Sequence, residues 1–157
     1  MTATKTKSVS HATFTLERTF TASPARVFRA WTDPAAYHRW FVSGEGWAIA
    51  EYTQDFRVGG HEHGRFSQTK AGAPFTNETH YLDIVPETRI IFTYAMGMNG
   101  KAFSHSLATF EFHAEGQGTR LVYTEQAAFL DGADGVAMRK AGWTELLGKL
   151  EAELATH

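Results

Sequence analysis

The chain has 157 residues, a formal charge of −2 and no cysteine. That length fits one domain. The lack of any Lys/Arg run argues against a nucleic-acid partner, and the missing thiols exclude both disulfides and thiolate metal sites. Hydrophobic residues make up 43% and aromatics 13%, enough for a sizeable core. No apolar run reaches membrane-spanning length and no signal-peptide core opens the chain, so a cytoplasmic protein with no membrane partner is expected.

In chain order, residues 1–10 are polar and read as a flexible arm, leaving 11–157 as a single domain. Residues 11–21 alternate, with Phe14, Leu16 and Phe20 on one face beside Arg18, which predicts a half-buried strand. Arg18 either reaches out past the end of the sheet or faces an interior and pairs with a carboxylate. Ser23-Pro24 and Asp33-Pro34 are two helix starts in close succession, each a capping side chain followed by proline at the first helical position. They predict two short helices with inner faces at Val27, Phe28 and Trp31, then at Tyr37, Trp40 and Phe41.

From Gly46 onward the pattern becomes strands: 47–56, 61–68, 76–85, 89–96, 104–114 and 119–129, with loops at 70–74 and 97–101 and a hairpin turn at 115–118. Short local connections make the sheet antiparallel. The last element is the long helical pattern of residues 134–154, with Val136, Trp143, Leu146, Leu147, Leu150 and Leu154 on one stripe and Asp131 or Asp134 as its cap. Seven strands, two short helices and one long helix give an α+β fold in which the stripe must be buried on the sheet. Gly142 and Gly148 inside the helix cost about 1 kcal/mol each relative to alanine, and would permit either close approach to the sheet or a bend in the helix that admits a ligand.

Several stretches together resemble domains similar to the activator of the ninety-kilodalton heat-shock protein ATPase, within the START-like (SRPBCC) superfamily. They are Ala22-Ser23-Pro24-Ala25-Arg26-Val27-Phe28-Arg29-Ala30-Trp31-Thr32-Asp33-Pro34 with Trp40-Phe41, then Asp55-Phe56-Arg57-Val58-Gly59-Gly60, Pro86 to Tyr94, Gly118-Thr119-Arg120-Leu121, and Gly142-Trp143 with Leu147 and Leu150. The resemblance implies a helix-grip fold, in which a curved seven-stranded antiparallel sheet wraps around the C-terminal helix. It also implies a cavity between sheet and helix for a small hydrophobic ligand; the wealth of aromatic side chains points to a planar or aromatic ligand over a long acyl chain, and the expected lining is Trp40, Phe66, Leu82, Phe92, Tyr94, Phe110, Tyr123, Met138, Trp143 and Leu147. Tyr94 and Tyr123 would offer hydroxyls to it, and Arg139 and Lys140 would stand near its mouth. A chaperone is the other partner the resemblance implies. The sequence leaves monomer and homodimer both open.

Three residues are candidates for acid/base chemistry of the polyketide cyclase or hydrolase kind, the alternative to ligand binding alone. Glu62 shares strand parity with Phe66, and Glu125 with Leu121 and Tyr123, so both carboxylates point inward if those hydrophobic residues do. A carboxylate in an apolar cavity has a raised pKa and suits general acid or base work. His80 is the third candidate. Glu125 also stands one strand away from Arg18, and an Arg18–Glu125 pair would make it structural instead. His61 and His63 alternate like metal ligands, but lie opposite in parity to Phe66 and so face solvent. Gly59-Gly60 precedes a strand and not a helix, which excludes a phosphate loop. No metal and no cofactor is expected.

Overall fold

The computed structural model describes residues 7–44, 47–68 and 74–156. The elements are β1 (Val9–Phe20), α1 (Pro24–Thr32), α2 (Pro34–Tyr37), a π-helical turn (His38–Val42), β2 (Trp47–Gln54), β3 (His61–Gln68), β4 (Phe75–Val85), β5 (Arg89–Met98), β6 (Lys101–Glu115), β7 (Gly118–Leu130) and α3 (Val136–Thr156). The strands form one curved antiparallel sheet in the order β1-β7-β6-β5-β4-β3-β2. The first two strands in sequence therefore lie at opposite edges, and the short helices carry the chain between them. This is a helix-grip arrangement. Among the described residues no helix is long and apolar enough to cross a membrane.

The two early helices start as the sequence dictates. Ser23 Oγ accepts from the Arg26 amide at 3.3 Å, Asp33 Oδ1 accepts from the Ala35 amide at 3.1 Å, and proline follows each cap. α2 does not stop at Tyr37 but loosens into the π-helical turn, closed by Ser43 N–H donating to the His38 carbonyl at 2.8 Å. The looser turn seats Trp40 in the core, where its Nε1 donates to the Ala30 carbonyl at 2.9 Å. Such π turns are rare and concentrate at functional sites.

Several boundaries move outward from the sequence reading. Val9 and Ser10 pair with Leu130 and Phe129, so the sheet takes in the end of the expected arm. The expected loop at 97–101 is a two-residue turn, Asn99-Gly100, both at positive φ, and strand pairing continues to Met98 and Lys101. Of the expected loop at 70–74, residues 70–73 lie outside the described residues, as do residues 1–6 of the arm. Gly60 is required by space: a Cβ there would lie 2.1 Å from the Asp55 carbonyl oxygen.

α3 begins at Val136, and neither expected aspartate caps it in the usual way. Asp131 accepts from the Ser8 amide at 2.9 Å, and Asp134 divides its oxygens between the Gly135 amide and Arg139. The buried face is Arg139, Trp143, Leu147, Leu150 and Glu153, while Val136 is exposed. The stripe is thus apolar only in its middle, with an arginine at one end and a glutamate at the other. Gly142 meets nothing within 4 Å and Gly148 only the Arg18 guanidinium, at 3.6 Å. The glycines therefore do not serve close approach to the sheet.

Candidate functional site: an aromatic cavity between two buried carboxylates

Strand alternation sends Glu62 of β3, Asn77, Thr79 and Tyr81 of β4, Phe92 and Tyr94 of β5, and Phe110 of β6 to the inner face of the sheet. Trp31, Tyr37, Trp40 and Phe41 from the helical segment and Trp143 from α3 close over them. The space left has a volume of about 20 Å³, room for one water-sized group. The indole of Trp143 and its neighbours fill the rest, with Trp143 4.3 Å from Tyr123 and 5.7 Å from Phe110 between ring centroids. Only Phe41 and Asn77 among the lining residues keep partial exposure, so the route to solvent passes between them.

Glu62 stands at one end, 2% exposed. Its carboxylate accepts from Tyr37 Oη at 3.0 and 3.1 Å, from Tyr52 Oη at 3.1 Å, and from Tyr81 Oη, which itself accepts from Gln54 Nε2 at 3.2 Å. No cationic side chain among the described residues bonds to it. Burial pushes the Glu62 carboxyl up to about 7, and the hydroxyls of Tyr81, Tyr37 and Tyr52 hold it from going higher. The three phenols are raised well above their ordinary range by burial and by the neighbouring Glu62 charge, so they stay protonated donors.

Glu125 is also fully buried and differently provided for. Its Oε1 accepts from Tyr94 and Tyr123 hydroxyls at 2.7 Å each, and its Oε2 from Ser106 Oγ at 2.6 Å and Arg139 Nη1 at 3.0 Å. Arg139 also donates to Asp134 and to Ser104, both at 2.7 Å, and to Tyr94 Oη at 2.9 Å. Burial works against the guanidinium charge, but Tyr94, Glu125 and Asp134 together raise its pKa, so it stays cationic. Tyr94 Oη accepts in addition from Trp143 Nε1 at 3.1 Å. The network bolts the first turns of α3 to β5, β6 and β7.

Comparison with known proteins decides the family. The pattern of the activator of Hsp90 ATPase homolog 1-like proteins matches residues 21–155. The chain belongs to that family. No curated protein matches the chain. Among solved structures, the Mll3558 protein of Rhizobium loti is 48% identical with a TM-score of 0.86, covering 93% of this chain and 99% of its own. An uncharacterized protein from Rhizobium leguminosarum is 41% identical with a TM-score of 0.91, covering 97% and 99%. Protein CV1439 of Chromobacterium violaceum is 26% identical with a TM-score of 0.76, covering 92% and 98%.

Against this family fold the expected site residues divide. Trp40, Phe92, Tyr94, Phe110, Trp143 and Glu62 line the cavity. Tyr123 and Leu147 are buried behind it, and Phe66 packs against the core outside it, its ring folded over Gly64 so that a Cβ there would lie 2.4 Å away. Leu82 and Met138 are on the surface, 50% and 73% exposed. Leu82 falls at a β-bulge, where pairing slips between Tyr81 and Asp83, and the inward position belongs to Tyr81. Met138 lies beside, not on, the buried face of α3.

The Arg18–Glu125 pair does not form. Glu125 stands opposite Phe14 in the β1–β7 register, and Arg18 is four residues further on, about 13 Å along the strand. Arg18 instead reaches Glu151 on α3 at 3.1 Å. Arg139 is buried and not near the mouth, and Lys140 is exposed. The hydroxyls of Tyr94 and Tyr123 are spent on Glu125 and do not face a ligand. His80 is exposed and lies against His61, with ring centroids 4.1 Å apart and the rings tilted by 48°, while His63 bonds to Glu78; all three lie on the outer face. Trp31, Tyr37, Phe41, Asn77, Thr79 and Tyr81 were not anticipated as lining residues. Odd-number parity on β4 carries a signal for the last three, which the bulge hides when the strand is counted from Leu82.

Proposed function

We propose that this protein binds a small, largely apolar ligand carrying one hydrogen-bonding group, in the cavity between β3–β6, the π-helical turn and α3. The observation that carries this reading is Glu62: a carboxylate buried at the wall of an aromatic cavity, held by three phenols and, among the described residues, by no cation. Removing such a group from water is costly and contributes no stability of its own, whereas a few polar points in an aromatic cavity are what small-molecule recognition needs. A ligand larger than water enters by displacing Phe41, the partly exposed aromatic residue stacked 4.7 Å from Tyr37. Membership of a family known for ligand binding supports the same reading.

Trp31, Trp40 and Trp143, three of the four tryptophans, line the cavity and report occupancy. Native mass spectrometry of the purified protein, with tryptophan-fluorescence titrations of small neutral, cationic and anionic aromatic compounds, tests the proposal. A co-purified mass or a saturable fluorescence change for at least one compound is expected. Neither, across the panel, would overturn it.

One observation favours catalysis as a second reading. A carboxyl pushed up to about 7 by burial is poised for general acid or base work at neutral pH. Conversion of an identified ligand by the wild type, lost in Glu62→Gln with binding retained, would establish it.

A further inference from the structure

Among the described residues three glutamates are buried, and two of them have an arginine. Glu125 has Arg139 at 3.0 Å, and Glu153 has a two-pronged bond from Arg39 at 2.8 Å on each oxygen. Among the described residues, Glu62 has neither arginine, lysine nor histidine. A carboxylate offers about four acceptor positions. Three hydroxyl protons serve them, from Tyr52, from Tyr81 and from Tyr37, whose proton is shared between both oxygens at 3.0 and 3.1 Å, so the carboxylate has one donor fewer than it can accept. The space beside it is lined by aromatic rings and two neutral polar side chains, Asn77 and Thr79, the second of which donates to the first at 3.4 Å. Asn77 and Thr79 stand on the wall from β4, and the rings of Trp31, Tyr37, Trp40, Tyr81 and Phe92 enclose the rest. Aromatic faces carry negative charge density and attract cations. A primary ammonium group donates three hydrogen bonds and accepts none, and it is about the size of the water that the 20 Å³ space can hold.

Resting on the ligand-binding reading above, we infer that the ligand carries a primary ammonium group, seated in the water-sized space against Glu62. Its apolar remainder runs out past Phe41 and Asn77. The ligand supplies the cation that Arg139 and Arg39 supply elsewhere in the fold. The tight space also sets the substitution of the nitrogen: three methyl groups on it would collide with the surrounding rings.

The test is a matched series at pH 8: benzylamine, benzyl alcohol, benzoate and benzyltrimethylammonium, each titrated against the wild-type protein by tryptophan fluorescence and checked by native mass spectrometry. Benzylamine is expected to bind at least about tenfold more tightly than benzyl alcohol, with benzoate and the quaternary amine weaker still. Glu62→Gln is expected to abolish the preference for the amine over the alcohol. If the alcohol or benzoate binds as tightly as the amine, the ammonium assignment is wrong while the cavity remains a ligand site. If none of the four binds, this inference fails, and a negative wider panel would take the ligand-binding reading with it. The wild-type series decides the matter even if Glu62→Gln does not fold.

Discussion

Glu62 and Glu125 are both inward-facing glutamates of one sheet, on β3 and β7 with three strands between them, both buried and both ringed by tyrosine hydroxyls. They differ in one partner. Arg139 closes the Glu125 network, satisfies two serines and an aspartate as well, and ties the start of α3 to three strands. Among the described residues Glu62 has hydroxyl donors alone, and it lines the cavity. The first arrangement holds the fold together. The second is tolerated by the fold and stands on the wall of the cavity. Burial of a charge is therefore a poor guide to role by itself; the presence or absence of a counter-charge separates the two.

The comparison breaks most forcefully at Arg139. Arg139→Met should destabilise the protein by roughly 3–5 kcal/mol in chemical denaturation, because Glu125 is left buried without its cation. The double variant with Glu125→Gln should recover much of the loss. An Arg139→Met protein within 1 kcal/mol or so of the wild type would mean that the network is ornamental to stability.

The next largest effect separates the two carboxylates by pH. The folded pKa of Glu62 is raised from 4.5 to about 7, so the folded state holds this proton more firmly than the unfolded state. Its contribution is fully present below the unfolded pKa, is lost as pH rises through 4.5 to about 7, and is constant above that. The facing phenols, Tyr37, Tyr52 and Tyr81, stay protonated throughout and add no slope. Glu62→Gln removes the titration. Its stability relative to wild type should rise between pH 4.5 and 8 by an amount on the order of 3 kcal/mol. A stability difference that is flat with pH would show that Glu62 ionises freely in the folded protein.

A smaller effect sharpens the contrast donor by donor. Tyr81→Phe removes one hydroxyl from Glu62 and should cost about 1 kcal/mol at pH 8, with a further upward move of the Glu62 titration. Tyr94→Phe should cost roughly 2 kcal/mol, since Glu125 loses a donor while Arg139 and Trp143 lose an acceptor in the same step. Equal losses from the two substitutions would erase the distinction between the clusters.

The fold was legible because its signals are local: two Ser/Asp-Pro caps, alternating strands, and one long helical stripe. The inward direction of both glutamates was legible too, since parity with Phe66 and Tyr123 fixes a face. Parity does not fix position along a strand, which is why Arg18 looked like a partner for Glu125 although the register sets them four residues apart. Arg139 was hidden for another reason. An arginine within a helical stripe reads as solvent-facing unless the acidic group awaiting it on another strand is known. Tyr81 was hidden by a bulge, which reverses the face of every later residue in a simple count. The cavity's small volume could not be read at all, because it depends on how far the rings of Trp31, Trp40 and Trp143 interlock.

The Tyr94 hydroxyl has a single proton, and that proton points at Glu125, while both of its lone pairs are taken by Arg139 and Trp143. Although Tyr94 lines the cavity, it has no bonding capacity left to offer an occupant and behaves there as a hydrocarbon surface. The cavity is therefore chemically one-ended: polar at β3, inert at β5. An occupant with a single polar terminus can lie in it only one way round, with that terminus at Glu62, and a second polar group set against Tyr94 would find no partner there.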